Sequence, residues 1–255
     1  MKKAIVILSG GLDSSTALYM SKNEGYAIYA LTFTYGQRHS IEVNCAAIIS
    51  KLVGVEEHRF VNLPTPKGSA LTEDNIEVPK GRSIEELSIE IPPTYVPVRN
   101  TLFIAYALQY AEEIGAEAIF TGITSTDSSG YPDTRPEYVE AYQNLINKAT
   151  KQTTTGKMIE LKSPLLHLYK SETISIGMEL GVPYQHTWSC YSPLIKYKKE
   201  SEKSPVEYEP CLEYEPCLEC DTCKLRIKGF VEAGFKDPSV STERWEEVLR
   251  KWKEK

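Results

Sequence analysis

The sequence has no apolar run near the ~18 residues that a membrane-crossing helix needs; the first, Ala4–Leu8, has only five. It has no cleavage-site pattern after Met1-Lys2-Lys3, which lead straight into that run, so a secretory signal is not expected and a cytoplasmic location is. It has no basic excess. Lys and Arg number 29 against 35 Asp and Glu, a net charge of −6, which weighs against a dedicated nucleic-acid binder. Its cysteines are not scattered as a disulfide framework would scatter them: of six, only Cys45 lies outside Cys190–Cys223. Such clustering points to a metal site in a reducing compartment. What remains is ordinary globular material, 41% hydrophobic and 25% charged over 255 residues. That suits one large domain, or one domain with a small appendage.

Hydrophobic periodicity sets the expected fold. Lys3–Leu8, Ile28–Phe33, His58–Leu63 and Ala118–Gly122 read as short strands. Between them, helices are expected at Asp13–Met20, Leu102–Ile114 and Tyr138–Ala149, and along Ile41, Cys45, Ile48, Ile49 and Leu52, whose spacing defines one helical face. Cys45 falls on that face and reads as a core cysteine. A further helix near Ser171–Leu180 stops at Gly181 and Pro183. Alternating strands and helices predict an α/β, doubly wound, mostly parallel sheet of Rossmann-like type. The Pro64–Tyr95 stretch reads as an irregular excursion, a candidate lid. We expect an α/β domain over 1–188 and a small Cys-rich, zinc-binding and helical part over 189–255. In the latter, Trp245, Val248, Leu249 and Trp252 form a stripe best read as packing on the protein's own body.

Ser9-Gly10-Gly11-Leu12-Asp13-Ser14 lies between an expected strand and an expected helix. Glycines let backbone N–H groups turn toward an anion, and the helix N-terminus adds partial positive charge. Asp13 can take a magnesium ion, and as a loop residue its replacement is expected to spare the fold. A Gly-Gly turn capped by Asp13 is the structural alternative. Neither the Walker pattern nor the dinucleotide fingerprint is present. The string resembles the pyrophosphate loop of the N-type ATP pyrophosphatases (adenine nucleotide alpha hydrolase type), which cleave ATP between the α and β phosphates. That resemblance implies ATP contacts by Leu8, Ser9, Gly10, Gly11, Leu12, Asp13, Ser14, Ser15, Thr16, Ala17 and Leu18.

Four further strings narrow the likeness: Phe33–His39 (Phe-Thr-Tyr-Gly-Gln-Arg-His), Val96–Asn100, Asp127–Glu137 after Thr121-Gly122, and Thr187–Tyr191. Together with the loop they resemble the 7-cyano-7-deazaguanine synthase family, from Lys3 to about residue 235. The resemblance implies an ATP-dependent ligase that converts 7-carboxy-7-deazaguanine and ammonia to the nitrile through adenylated intermediates. Asp13, Ser14, Arg38, His39 and Arg99 become candidate catalytic residues, with His39 as a positioning donor. Arg38 or Arg99 suits a carboxylate or phosphate fork. Tyr35, Gln37, Asp127, Tyr131, Asp133, Arg135 and Glu137 become candidate substrate contacts, although Arg99 and Arg135 could equally be helix-cap or loop ion pairs. The chain departs from the family in three ways: Val98 stands where Gly is usual, Thr134 where Cys is common, and the Cys-rich segment is longer. No fused glutaminase is expected, so ammonia would arrive free or from a partner. Neither membrane nor direct nucleic-acid contact is expected, and homodimerisation is left open.

Cys217-x-x-Cys220-x-x-Cys223, with Cys190 as a fourth ligand, suits a closed tetrahedral zinc site, one structural ion per chain. The spacing also leaves an iron–sulfur cluster open; zinc is favoured because the inferred chemistry moves no electron. Cys211 lies in one copy of a tandem Glu-Tyr-Glu-Pro-Cys-Leu repeat (207–212 and 213–218) and reads as a spare, free thiol. The alternatives are a tRNA-modifying ATP pyrophosphatase of thiolase or lysidine-synthetase type, and a zinc-dependent binding module.

Overall fold

Lys3–Ile7 forms β1 at the centre of a five-stranded sheet, because its Ala-Ile-Val interior offers apolar side chains to both faces. The structure is a computed structural model that describes residues 1–37, 41–83, 91–125, 130–195 and 214–253. β1 is flanked by β2 (Ala27–Thr34) and β4 (Ala118–Phe120), with β3 (Glu57–Asn62) and β5 (Glu160–Lys162) at the edges. All neighbours pair in parallel, with Ala4 opposite both Ile28 and Ala118.

The sheet is wound on both faces. α1 (Leu12–Asn23) and α2 (Ile41–Val53) cover one, where Leu18, Ala46 and Ile49 pack on Ala4, Val6, Ala30 and Phe120. α3 (Arg99–Ile114) and α4 (Pro136–Ala149) cover the other, where Ile104, Ala107 and Ile146 meet Ile5, Leu31 and Ile119. The strand order 3-2-1-4-5 reverses direction beside β1, and in such sheets the crevice at the strands' carboxyl ends is where ligands bind.

A short α5 (Lys151–Thr154) leads into β5, and α6 (Lys170–Glu179) follows. β6 (Leu194–Ile195) and β7 (Tyr214–Glu215) form a minimal antiparallel ladder. α7 (Asp221–Glu232) and α8 (Thr242–Lys253) close the chain. Leu12 of α1, Ile174 of α6, Phe230 of α7 and Trp245 of α8 share one apolar cluster, with Val248, Leu249 and Trp252 packed against it. The C-terminal aromatic stripe therefore packs on the protein's own body, as its spacing suggests.

The described part of the Pro64–Tyr95 excursion is packed and does not stand free as a lid. Ser69, Ala70 and Leu71 are buried. Lys80 bridges Cys220, and Arg82 pairs with Asp221 while its carbonyl accepts from Lys224 Nζ. This strap braces the turn that carries the cysteines.

Asp13 opens the helix expected over Asp13–Met20 and does not sit on a loop: it lies in the first turn of α1, and its Oδ1 is 2.6 Å from Lys170 Nζ at the start of α6. The helix begins immediately after Gly11, so its replacement removes an interhelical ion pair.

Candidate active site

A cavity of about 310 Å³ opens at the carboxyl ends of β1, β2 and β4. That volume falls within the ordinary range for small-molecule sites. One wall is the turn Ser9–Ser14. Gly10 has φ of +85°, and a Cβ there would stand 2.0 Å from the Glu42 carbonyl oxygen, so α2 lies directly against the turn. From the other side, a Cβ on Gly122 would stand 2.7 Å from the Ser14 nitrogen. These two approaches force glycine and clamp the turn between α2 and the end of β4.

No side chain caps α1, whose N-cap is Gly11. The first amides of a helix have no partner within it, so here they are available to an anion. Ser9 Oγ and Ser14 Oγ lie 2.9 Å apart and preorganise the turn, with the Ser9 amide donating to Ser14 Oγ. Thr16 and Ser15 instead donate to carbonyls of their own helix, and Ala17 and Leu18 are wholly buried.

The cavity lining also includes Arg99, whose Nη1 donates to Tyr35 Oη at 2.9 Å. Burial disfavours the guanidinium charge, but the facing Tyr35, Tyr191 and Tyr131 phenols more than offset this and raise its pKa. Asp133 positions Arg99 from behind: its Oδ2 accepts from the Asn100 amide at 3.0 Å, while Asn100 Nδ2 donates to the Asp133 carbonyl. Val98, at the start of α3, has φ of +55° and ψ of +24°, the left-handed region that suits glycine.

The floor is the segment Trp188–Tyr191. The Trp188 amide donates to the Gly10 carbonyl at 2.9 Å, and Thr222 Oγ1 donates to the Ser189 carbonyl at 2.6 Å. Arg226 fixes the approach to this segment. Its guanidinium makes a buried two-point pair with Asp237 (2.6 and 3.0 Å) and donates to Thr187 Oγ1 and the Tyr184 carbonyl.

Cys190, Cys217, Cys220 and Cys223 are all buried, with their sulfurs within 4.8 Å of one another. Four thiolates bound at ~2.3 Å would sit about 3.8 Å apart around a tetrahedral ion, close to the 3.9 Å between Cys217 and Cys223. The Cys217 and Ser192 amides donate to Cys190 Sγ, and the Glu219 and Cys220 amides to Cys217 Sγ. Such donors orient sulfur ligands. The donor set fits a soft, four-coordinate metal with no open position.

The family model for the queuosine biosynthesis protein QueC matches residues 3–234. The chain belongs to the QueC family. It is 47% identical over 238 residues to a 7-cyano-7-deazaguanine synthase of Desulfitobacterium hafniense, covering 93% of this chain and 92% of that one. A 7-cyano-7-deazaguanine synthase of Saccharophagus degradans is 44% identical over 240 residues, 93% of this chain and 97% of its own. An NMN synthetase of Francisella tularensis aligns over 71% of this chain and 63% of its own, at 18% identity and a TM-score of 0.40.

In this QueC-family chain the cavity brings together Leu8, Ser9, Gly11, Leu12, Asp13, Ser14, Tyr35, Gln37, Arg99, Tyr131 and Cys190 from among the residues expected to act. Gln37 also folds its own loop, its Oε1 accepting from the Tyr35 amide at 2.7 Å. Asp133 is buried behind the wall as the cap of α3, while Arg135 and Glu137 are exposed and do not line the cavity. Arg135 Nε donates to the Pro132 carbonyl. Arg38, His39, Asp127 and Cys211 lie outside the described residues. Sequence reasoning missed Glu42, Lys170, Thr222 and Arg226, all on the cavity wall. Lys170 opens its helix from far along the chain and Thr222 and Arg226 sit among the cysteines' helix, so no local pattern announces them. Glu42 follows Tyr-Gly-Gln-Arg-His by three residues, the one local signal that could have been used.

Proposed function

We propose that this chain converts 7-carboxy-7-deazaguanine and ammonia to 7-cyano-7-deazaguanine, consuming ATP as AMP and pyrophosphate. The observation that carries the reading is that the uncapped start of α1 and Arg99 line one cavity, an anion cradle and a carboxylate fork in the same site. The likeness to relatives named 7-cyano-7-deazaguanine synthase supports it.

The α1 amides and the Ser9 and Ser14 hydroxyls hold the pyrophosphate portion of ATP, with Lys170 adding positive charge at the same wall. Arg99, held by Tyr35, orients the substrate carboxylate toward the α-phosphorus. One carboxylate oxygen attacks that phosphorus and pyrophosphate leaves; ammonia then attacks the carbonyl carbon and AMP leaves, giving the amide. A second round of adenylation on the amide oxygen permits elimination to the nitrile. Asp13 would hold a magnesium ion in exchange for its ion pair with Lys170, and the ion would neutralise phosphate charge when bound. Cys190, Cys217, Cys220 and Cys223 would hold a zinc ion whose role is structural, since four sulfurs leave it no open position. Through Cys190 and the Thr222–Ser189 bond, that centre supports the cavity floor.

Mass spectrometry of the products from 7-carboxy-7-deazaguanine, ATP, magnesium and ammonium tests the reading. The expected products are AMP, pyrophosphate and the nitrile. ADP and phosphate as the only nucleotide products would overturn it, and AMP formation that depends on bulk tRNA would favour a tRNA-modifying enzyme.

A further inference from the structure

Among the described residues, two carboxylates line the cavity, Asp13 and Glu42. Asp13 is engaged by Lys170. Glu42 takes no hydrogen bond and no ion pair on its carboxylate from any described residue. Its own backbone lies against Gly10, so its position beside the phosphate turn is set by the tightest packing in the site. Its carboxylate shares the cavity with Arg99 from α3, Tyr35 from the loop after β2 and Tyr191, while Asp13 and Lys170, which also line it, pair with each other. A half-buried acid with no partner among the described residues, beside an arginine, is costly unless something else meets it.

We infer that Glu42 is the proton acceptor that turns ammonium into the nucleophile of this reaction. The inference rests on the ligase reading above. Near neutral pH ammonia is mostly ammonium, which has no lone pair to attack with. Glu42 takes one proton from the nitrogen, whose freed pair forms the C–N bond to the adenylated carbonyl. The C–O bond to AMP breaks and its electrons leave on the phosphate. A second proton leaves the nitrogen to solvent, giving a neutral amide. Arg99 for the anion and Glu42 for the cation thus bring the two reactants side by side. Tyr35 is a poor substitute as base, because its phenol is engaged by Arg99 and burial raises its pKa. Burial also pushes the Glu42 carboxyl up to about 7, against the opposing pull of Arg99. A base of that strength is matched to work near neutrality.

Hydroxylamine tests the inference, because it is already neutral near pH 7 and needs no base to attack the same adenylate. Wild type, Glu42→Gln and Glu42→Asp would each be given 7-carboxy-7-deazaguanine, ATP and magnesium with either ammonium chloride or hydroxylamine. Glu42→Gln should lose about 100-fold or more of the ammonium-dependent rate relative to the hydroxylamine-dependent rate, the usual worth of a positioned base. The deficit should narrow as rising pH supplies free ammonia. Glu42→Asp, which keeps a carboxylate, should recover part of the lost ratio. An unchanged ratio would overturn the role of Glu42, whether both rates fall together or neither falls. A wild-type protein that forms no AMP from the deazapurine acid would overturn the ligase reading itself, and this inference with it.

Discussion

Replacing Val98 with glycine should leave the protein more stable than replacing it with alanine, reversing the usual order. Elsewhere glycine is the worse choice, because its unfolded chain has more freedom to lose, about 0.4–1 kcal/mol relative to alanine. At Val98 the backbone is left-handed, φ +55° and ψ +24°, where any Cβ crowds the following carbonyl at a cost of about 1–2 kcal/mol. The difference favours glycine by about 1 kcal/mol. Both variants lose the same side-chain contacts, and those are few, since Val98 is 52% exposed. Both also keep the bonds that hold the site in place: the Val98 amide to Tyr95 Oη at 3.0 Å, and the Leu102 amide to the Val98 carbonyl at 3.3 Å. Thermal unfolding followed by far-ultraviolet circular dichroism should place Val98→Gly about 2–4 °C above Val98→Ala. A Tm for the glycine variant equal to or below that of the alanine variant would refute the strain argument. Turnover should be retained in both, because Asp133 fixes the start of α3 through Asn100.

Three further outcomes follow from the same geometry. The Glu42 carboxyl sits near 7 in the folded chain against 4.5 when free, so the native state keeps a proton that the unfolded chain releases between those values. Its stabilising contribution is complete below about 4.5 and lost as pH rises through 7; urea unfolding at pH 5 and pH 8 should show Glu42→Gln gaining about 1–3 kcal/mol on wild type at the higher pH, and no gain would contradict the burial argument. Asp237→Asn removes one charge of a buried pair and leaves Arg226 uncompensated, so it should cost about 3–5 kcal/mol in denaturant unfolding, whereas Arg135→Ala, on the surface, should change stability by less than about 0.5 kcal/mol. Cys217→Ser should lower bound metal below one ion per chain by elemental analysis, while Cys211→Ser should leave it at one because the four-sulfur set is complete without it; metal lost only from the Cys211 variant would mean that the wrong ligand has been chosen.

The parts legible in the sequence are those whose signals are local. Apolar runs and helical faces announce β1 to β4, α1 to α4, α6 and α8, since burial on one or both faces of a doubly wound sheet imposes its own period. The Ser9–Ser14 turn and the Cys-x-x-Cys-x-x-Cys string announce their candidate chemistry because each is contiguous, whereas the fourth sulfur, Cys190, lies 27 residues before Cys217. β5 is only Glu160–Lys162, too short to carry a period, and is held by pairing with β4. α7 carries the cysteine spacing along its start, and that signal hides the helical one. Long-range geometry decides the rest. Lys170 meets Asp13 across 157 residues, Arg226 reaches back to Tyr184 and forward to Asp237, and α2 brings Glu42 against Gly10. Asp133 and Arg135 are two residues apart in one string, yet one is buried as a helix cap and the other is exposed. The sequence alone pointed to the kind of chemistry, because the turn proposed for phosphate and three of the four candidate metal ligands are each neighbours in the chain. The tertiary structure alone decided which charges share the cavity, because a carboxylate, a guanidinium and an ammonium group become partners only where packing brings separate helices to one strand end.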